Sequence, residues 1–378
     1  GEDTVEIDCH GGVYAMKRVL ETVLKNGAVI AEPGEFTKRA FLNGRLDLSQ
    51  AEAVMDVIQA KNSMALKSSV EQLKGSVQRA VKEIRARLLH QIAYIETALD
   101  DPEHFDLTGY PQELQGIVEK ERENISELLK TADDGRMIQE GIKTVILGKP
   151  NAGKSSLLNF LVGEDRAIVT EIAGTTRDIL EEYISLNGIT LRMIDTAGIR
   201  ETEDIVEKIG VGKAKQMAED ADLILYVVDS SLPLDDNDRE IMDLLCGRKS
   251  IVIYNKTDLE AAVDIEELRK KTGSPVIPVS VVEETGIRQL EDEIKRMFFH
   301  GELSFNDEVY ITNARHKAAL EEAKESLKLV TGSIEMGMPE DFFSIDLMNA
   351  YESLGRIVGE SVGEDLVNEI FSKFCVGK

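Results

Sequence analysis

Apolar residues recur at Leu66, Val70, Leu73, Val77, Val81, Ile84, Leu88, Ile92, Ile95 and Leu99. Steps of four and three keep them on one face of a long helix. Gly75 is the only breaker inside that run, and Asp101-Pro102 ends it. Ser49 and Glu52 supply an S-x-x-E capping pattern upstream, so helix is predicted across 47–100. Glu113–Leu129 adds a further helix. Residues 314–378 return to helical spacing, ending in Glu364–Phe374. These stripes are read as core packing.

Residues 141–300 change character. Short apolar runs at Thr144–Leu147, Leu191–Ile194, Leu223–Val228, Ile251–Tyr254 and Val276–Val279 alternate with helical stretches. That alternation predicts a mostly parallel sheet covered by helices. The helical stretches flank this block, so the expected fold class is an α/β domain with a mostly parallel sheet inserted into an all-α helical domain. A partial N-terminal α/β segment precedes both, with strands at Thr4–Asp8 and Ala28–Ala31 around a helix at Val13–Leu24. The expected divisions are 1–43, 44–138, 139–302 and 303–378. A piece as short as 1–43 cannot bury a core alone.

Composition narrows the function. With 44 basic against 70 acidic residues in 378, the formal charge is −26. Such a chain lacks the electrostatic footprint of a protein that grips nucleic acid over a broad face. Any RNA contact is expected to be local or made through a partner. The three cysteines, Cys9, Cys246 and Cys375, are too few and too far apart for a disulfide framework. They suit a reducing cytoplasm. No run approaches the ~18 apolar residues of a membrane span, and no signal peptide is read at the start.

The chemistry is carried by four short motifs in order. Gly148-Lys149-Pro150-Asn151-Ala152-Gly153-Lys154-Ser155 matches G-x-x-x-x-G-K-[ST], after an apolar strand and before the helical Ser156–Leu161. Glycines let backbone amides wrap phosphates, and the following helix directs its N-terminus at them. Lys154 is expected at the β- and γ-phosphates, and Ser155 on Mg²⁺. Asp195-Thr196-Ala197-Gly198 ends a strand, placing Asp195 near Mg²⁺ and the Gly198 amide near the γ-phosphate. Asn255-Lys256-Thr257-Asp258 follows another strand. Asp258 can accept from guanine N1–H and the 2-amino group, donors that adenine lacks. Gly174-Thr175-Thr176-Arg177-Asp178 lies between the first two motifs. A threonine there completes the Mg²⁺ shell only with the γ-phosphate present, which makes the segment a switch.

Two positions depart from common GTPase usage. Ile199 follows Gly198, where a glutamine often orients the attacking water. Glu207 is then a candidate for that task, or a solvated helix charge. Asn151 either holds a monovalent cation beside the phosphates or braces the loop.

With these motifs in place, the chain resembles the tRNA-modification GTPases of the MnmE (TrmE) family along essentially its whole length. The resemblance rests on Cys9-His10-Gly11-Gly12, the run Pro33–Leu48, the loop Gly148–Ser155, Gly174–Asp178, and the ending Phe374-Cys375-Val376-Gly377-Lys378. It implies GTPase domains that dimerise around K⁺. Asn151, Thr170, Ile172 and Thr175 would stand near K⁺, Ser155 and Thr176 on Mg²⁺, and Glu207 at the hydrolytic water. Nucleotide contacts would extend over Asn151, Ala152, Gly153, Lys154, Ser155, Ser156, Thr170, Thr175, Thr176, Asp195, Thr196, Ala197, Gly198, Asn255, Lys256 and Asp258. It implies a homodimer and a tetrahydrofolate one-carbon donor at Glu6, Arg45 and Lys378. The family position at Arg45 can be lysine. Cys375 matches a cysteine proposed for the modification chemistry, or is a partly buried apolar residue near a chain end. The implied partner is the FAD protein MnmG, with tRNA reached through the complex.

Two departures stand out. The family chain begins earlier, so this one is expected to lack most of the folate-binding domain. The guanine-sensing loop usually reads Ser-Ala-x and here reads Ser280-Val281-Val282; a backbone amide can still reach the base oxygen. Competing readings are a regulatory GTP-binding module with no part in RNA chemistry, and an ATPase.

Overall fold

A computed structural model describes residues 2–105, 107–166, 182–186, 188–194, 211–299, 309–360 and 362–374. The chain forms two compact units. One takes in Gly1–Gln59, Lys67–Thr131 and Asn313–Lys378, and the other Ala60–Leu66 and Ala132–Thr312. The α/β unit is therefore inserted in the helical one, as the alternation of periods predicts. No described helix is long and apolar enough to cross a membrane.

The long stripe proves to be two helices, Ser63–Leu73 and Ser76–Asp100. The second buries Val77, Val81, Ile84, Leu88, Ile92 and Ile95 as predicted. The stripe fails at its ends. Leu66 and Leu99 are exposed, while Met64, Ala65, Ser68, Ser69, Gln72 and Ala98 are buried. The break at Gly75 resets the helical phase, so from Lys67 onward the first helix turns the polar Ser68, Ser69 and Gln72 inward. Gln72 makes burial tolerable by donating to the Ser49 carbonyl at 3.3 Å.

The capping box also shifts. Helix Leu48–Gln59 is started by Asp47, whose Oδ1 accepts from the Gln50 amide at 2.9 Å. Gln50 Oε1 accepts in return from the Asp47 amide at 3.1 Å. Glu52 is instead drawn into the core by charge. Arg315 donates to both its oxygens, at 3.0 and 2.6 Å, and His316 Nε2 lies 2.9 Å from Oε2. Arg315 also donates to the Ile357 carbonyl at 3.1 Å. One network thus ties Leu48–Gln59 to helices Ala314–Glu335 and Glu340–Val358. Burial opposes ionisation of Glu52, but His316 and Arg315 overcome it and hold its pKa at about 2.

Asp56, one turn further on, goes the other way. Burial first, then the Glu52 charge, raises its pKa to about 7. A carboxyl with a raised folded pKa costs nothing below its unfolded value near 3.8. The penalty grows as pH rises from there and is complete above about 7. Asp56→Asn is expected to stabilise the protein by about 1–2 kcal/mol at pH 8 and to change nothing at pH 3. Denaturant melts at the two pH values check this; equal effects at both would contradict it.

The N-terminal reading needs correction. Helix Val13–Lys25 forms, but neither Thr4–Asp8 nor Ala28–Ala31 is a strand. Val5, Ile7, Val29 and Ile30 are exposed. A strand needs a neighbouring ladder for its amides and carbonyls, and these segments have none among the described residues. The Pro33–Leu48 run does pack. Helix Glu35–Leu42 sets Phe41 6.2 Å from Phe371 of helix Glu364–Ser372, and Lys38 Nζ donates to Asn368 at 2.7 Å.

The α/β unit carries a six-stranded sheet: β1 Ile142–Leu147, β2 Glu182–Leu186, β3 Ile189–Met193, β4 Leu223–Asp229, β5 Ser250–Asn255 and β6 Val276–Pro278. Their order is β2-β3-β1-β4-β5-β6. All pairings are parallel except β2–β3. β2 has no counterpart in the sequence reading. Alternate residues face two cores. Ile146, Leu225 and Ile253 pack with Leu157, Leu158 and Leu290 on one face. Val145, Tyr226 and Val252 pack with Ile241, Leu245 and Leu268 on the other. Burial on both faces explains the nearly continuous apolar runs.

Candidate nucleotide-binding site

In an open parallel sheet, ligands bind beyond the carboxyl ends of the strands, where chain connections diverge. β1 pairs with both β3 and β4, so the divergence falls beside it. The loop that leaves β1 there is Gly148–Lys154. Gly148 has φ +152°, and a Cβ would lie 2.5 Å from the Val227 carbonyl oxygen. A Cβ on Gly153, at φ +100°, would lie 2.2 Å from Asn255 Nδ2. Only glycine fits either place, so the backbone itself forms the cradle. Asn151 stands at φ +60° and is exposed, a left-handed position that asparagine tolerates.

Lys154 opens the helix Lys154–Arg166. Its ammonium donates to the Gly148 and Lys149 carbonyls at 2.7 and 2.6 Å. Burial pushes its pKa down to about 8. A cation held on loop carbonyls in a partly desolvated place is matched by an anion such as a phosphate. Ser155 and Ser156 follow, exposed in the first helical turn. The Ser155 hydroxyl is the kind of hard oxygen that Mg²⁺ accepts. Lys149 turns away, with Nζ 2.6 Å from Asp238 and 3.0 Å from Asp235. It fixes the loop's first half to the start of helix Asp236–Leu245.

The Asn255–Asp258 turn leaves the end of β5 alongside. Asn255 is buried and donates from Nδ2 to the Ala152 carbonyl at 2.8 Å. This bond joins the phosphate loop to the base-recognition turn. Asn255 Oδ1 is buried with no hydrogen-bond partner among the described residues. An acceptor left open at the joint fits a site completed by ligand or water. Lys256, at φ +62°, donates to Asp229 Oδ2 at 2.5 Å. Asp258 is exposed, and its Oδ1 accepts from Ser280 Oγ at 2.7 Å. Ser280 is fully buried, and its hydroxyl also accepts from the Glu283 amide at 3.1 Å. One carboxylate oxygen is thereby fixed, which orients the group for a flat, two-donor edge.

Sequence reasoning had missed three of these supports. The sequence of the Ser280-Val281-Val282 loop points only to a backbone amide, yet the Ser280 hydroxyl aims Asp258. Asp229 braces Lys256, and Asp238 braces Lys149. Asp229 had a detectable signal, a carboxylate at the carboxyl end of an apolar strand. Asp238 had the weaker D-x-x-D capping pattern with Asp235.

Other expected positions fall differently. Thr170, Ile172, Thr175, Thr176, Asp195, Thr196, Ala197, Gly198, Glu207, Cys375 and Lys378 lie outside the described residues. Arg45 lines a cavity of about 540 Å³ with Glu2, Asp3, Phe36, Arg39 and Asn43. Glu6 is exposed and is not among that cavity's lining residues.

A phosphate cradle and a guanine-type turn, joined through Asn255 at the carboxyl ends of a mostly parallel sheet, define a GTPase domain of the phosphate-loop class. Residues 48–375 match the MnmE helical domain and residues 1–45 the N-terminus of the GTP-binding protein TrmE. The chain belongs to the MnmE family. The tRNA modification GTPase MnmE of Lachnoclostridium phytofermentans is 61% identical over 377 residues, covering 100% of this chain and 82% of that protein. The MnmE of Geobacillus thermodenitrificans is 49% identical over 379 residues, with the same coverage. The G domain of the FeoB iron transporter of T. maritima is 27% identical, covering 42% of this chain and 98% of that one, with a TM-score of 0.30.

Proposed function

We propose that this chain is a K⁺-stimulated GTPase that acts as a conformational switch in tRNA modification. With an FAD-dependent MnmG-type partner, it would serve the installation of a (carboxymethyl)aminomethyl-type group at C5 of the wobble uridine. The observation that carries the GTPase part is the Asn255–Ala152 bond, which makes one site of the triphosphate cradle and the guanine turn. Family membership supports the tRNA part.

In this reading, loop amides and Lys154 hold the phosphates, and Ser155 and Thr176 hold Mg²⁺, with Asp195 behind. Mg²⁺ would supply charge neutralisation at the β- and γ-oxygens. Asn151, with Thr170, Ile172 and Thr175, would place K⁺ where other systems insert an arginine. Glu207 would orient the attacking water that Ile199 cannot hold. A homodimer would bring two such sites together. Glu6, Arg45 and Lys378 remain the proposed folate contacts, and Cys375 a proposed participant in the modification.

GTP turnover in matched K⁺ and Na⁺ buffers tests this. K⁺ is expected to raise kcat at least about tenfold over Na⁺, in line with supplying charge to a phosphoryl-transfer transition state. Glu207→Ala is expected to keep GTP affinity and lose about 100-fold in kcat. Equal rates in the two salts would remove the role of Asn151. Unchanged turnover in the variant would remove that of Glu207.

A further inference from the structure

The β2–β3 hairpin occupies a special place in the chain. The segment that ends in Thr175-Thr176 leads into it, and Asp195 follows it. Both segments are therefore continuous in sequence with its two ends.

Residues Lys61–Met64 hold this hairpin at three points. Lys61 Nζ lies 3.3 Å above the centre of the Tyr183 ring on β2. Asn62 Nδ2 donates to Thr190 Oγ1 on β3 at 2.8 Å and to the Ile138 carbonyl at 3.2 Å. Met64 is buried, and its sulfur stands where a Cβ on Gly188, at the hairpin turn, would come within 3.4 Å. Thr190 in turn presses on the entry to β1, since a Cβ on Gly141 would lie 3.0 Å from its carbonyl oxygen. Asn62 therefore bridges β3 and the lead-in to β1, the two strands that carry the Asp195 motif and the phosphate loop.

Asn62 has a second task. Its Oδ1 accepts from the Ala65 amide at 2.7 Å, which caps helix Ser63–Leu73. The first turn of that helix belongs to the α/β unit, and from Lys67 onward it belongs to the helical unit. Its far end is fixed there: Gln50 donates to the Leu73 carbonyl at 2.9 Å, and Gln72 donates to that of Ser49. One short helix is thus tied at its start to the hairpin between the nucleotide-sensing segments, and at its end to the helical unit.

We propose that Asn62 is a positioning residue that couples the nucleotide state, through Thr190 and the β2–β3 hairpin, to helix Ser63–Leu73. This rests on the GTPase reading above. The coupling uses the two amide N–H donors of Asn62, whereas the helix cap uses its oxygen. Asn62→Asp keeps an acceptor for Ala65 but removes both donors. Thr190→Val keeps the cap intact and removes the acceptor on the strand.

Hydrogen exchange of the full chain, saturated with Mg²⁺ and either GDP or a non-hydrolysable GTP analogue, reads the effect. Exchange of the amides in 63–73 is expected to differ at least about fivefold between the two nucleotides in the native protein. In both variants the difference should fall below about twofold while the GDP-state protection stays near native. No nucleotide-dependent difference in native protein would overturn the proposal, and so would a difference that persists in both variants. Nucleotide binding is titrated on the same samples. A protein that binds no nucleotide overturns the GTPase reading as well, whereas binding without the exchange difference overturns the coupling alone.

Discussion

Asp258→Asn is expected to cost at least about 100-fold in GDP affinity and to create affinity for xanthine nucleotides. Guanine offers two donors, N1–H and the 2-amino group, to one carboxylate. Hydrogen bonds to a charged group contribute about 1.5–3 kcal/mol each, and two of them give the expected factor. The carboxamide keeps one acceptor oxygen but turns a donor toward the guanine amine, so a donor meets a donor. Xanthine carries a carbonyl at that position and pairs with the new N–H. The exchange should not disturb the fold, because Asp258 is exposed and Ser280 can donate to the amide oxygen as it does to the carboxylate. Parallel titrations with GDP and XDP measure it. Native-like GDP affinity in the variant would show that the base is read elsewhere.

Lys154→Ala is expected to abolish turnover and weaken GTP binding by at least about 100-fold, comparable with removal of one charged donor from a transition state. The loss should come without loss of stability. Among the described residues the ammonium is satisfied by the Gly148 and Lys149 carbonyls, and burial already lowers its pKa to about 8. A lysine whose folded pKa lies below its unfolded value of 10.5 opposes folding while charged. That penalty is complete below pH 8 and fades as pH rises from 8 toward 10.5. Phosphates restore the charge by pairing with it, so binding takes up a proton above pH 8. In the native protein, GTP affinity is therefore expected to fall as pH is raised through about 8, a slope that the alanine variant lacks.

Much of this site could be read from the chain because its chemistry needs particular residues in particular order. Gly148 and Gly153 stand where any Cβ would strike Val227 or Asn255, so the glycine spacing reports a geometric necessity. Strand runs were legible for a similar reason: both faces are buried, and every position from Leu223 to Asp229 is apolar or inward. What resisted reading was context. The Leu66–Val70–Leu73 stripe has perfect helical spacing, but packing chose the Ser68, Ser69 and Gln72 side once Gly75 broke the phase. Glu52 looked like a capping residue; Arg315 and His316, far away in the chain, made it a buried anion. Thr4–Asp8 alternates well but has no ladder to join among the described residues. Local pattern proposes elements, and distant partners decide among them.

The central claim is that one site cradles phosphates on Gly148–Lys154 and reads guanine through Asp258. Competition for a fluorescent GDP analogue on the full chain with Mg²⁺ tests it most directly. Unlabelled GDP should displace the analogue at stoichiometric levels, and ADP should fail to do so even at about 1,000-fold excess, as expected where both acceptors of the Asp258 carboxylate would be left unmatched by the base. Displacement by ADP as readily as by GDP, or no binding of the analogue at all, would contradict it.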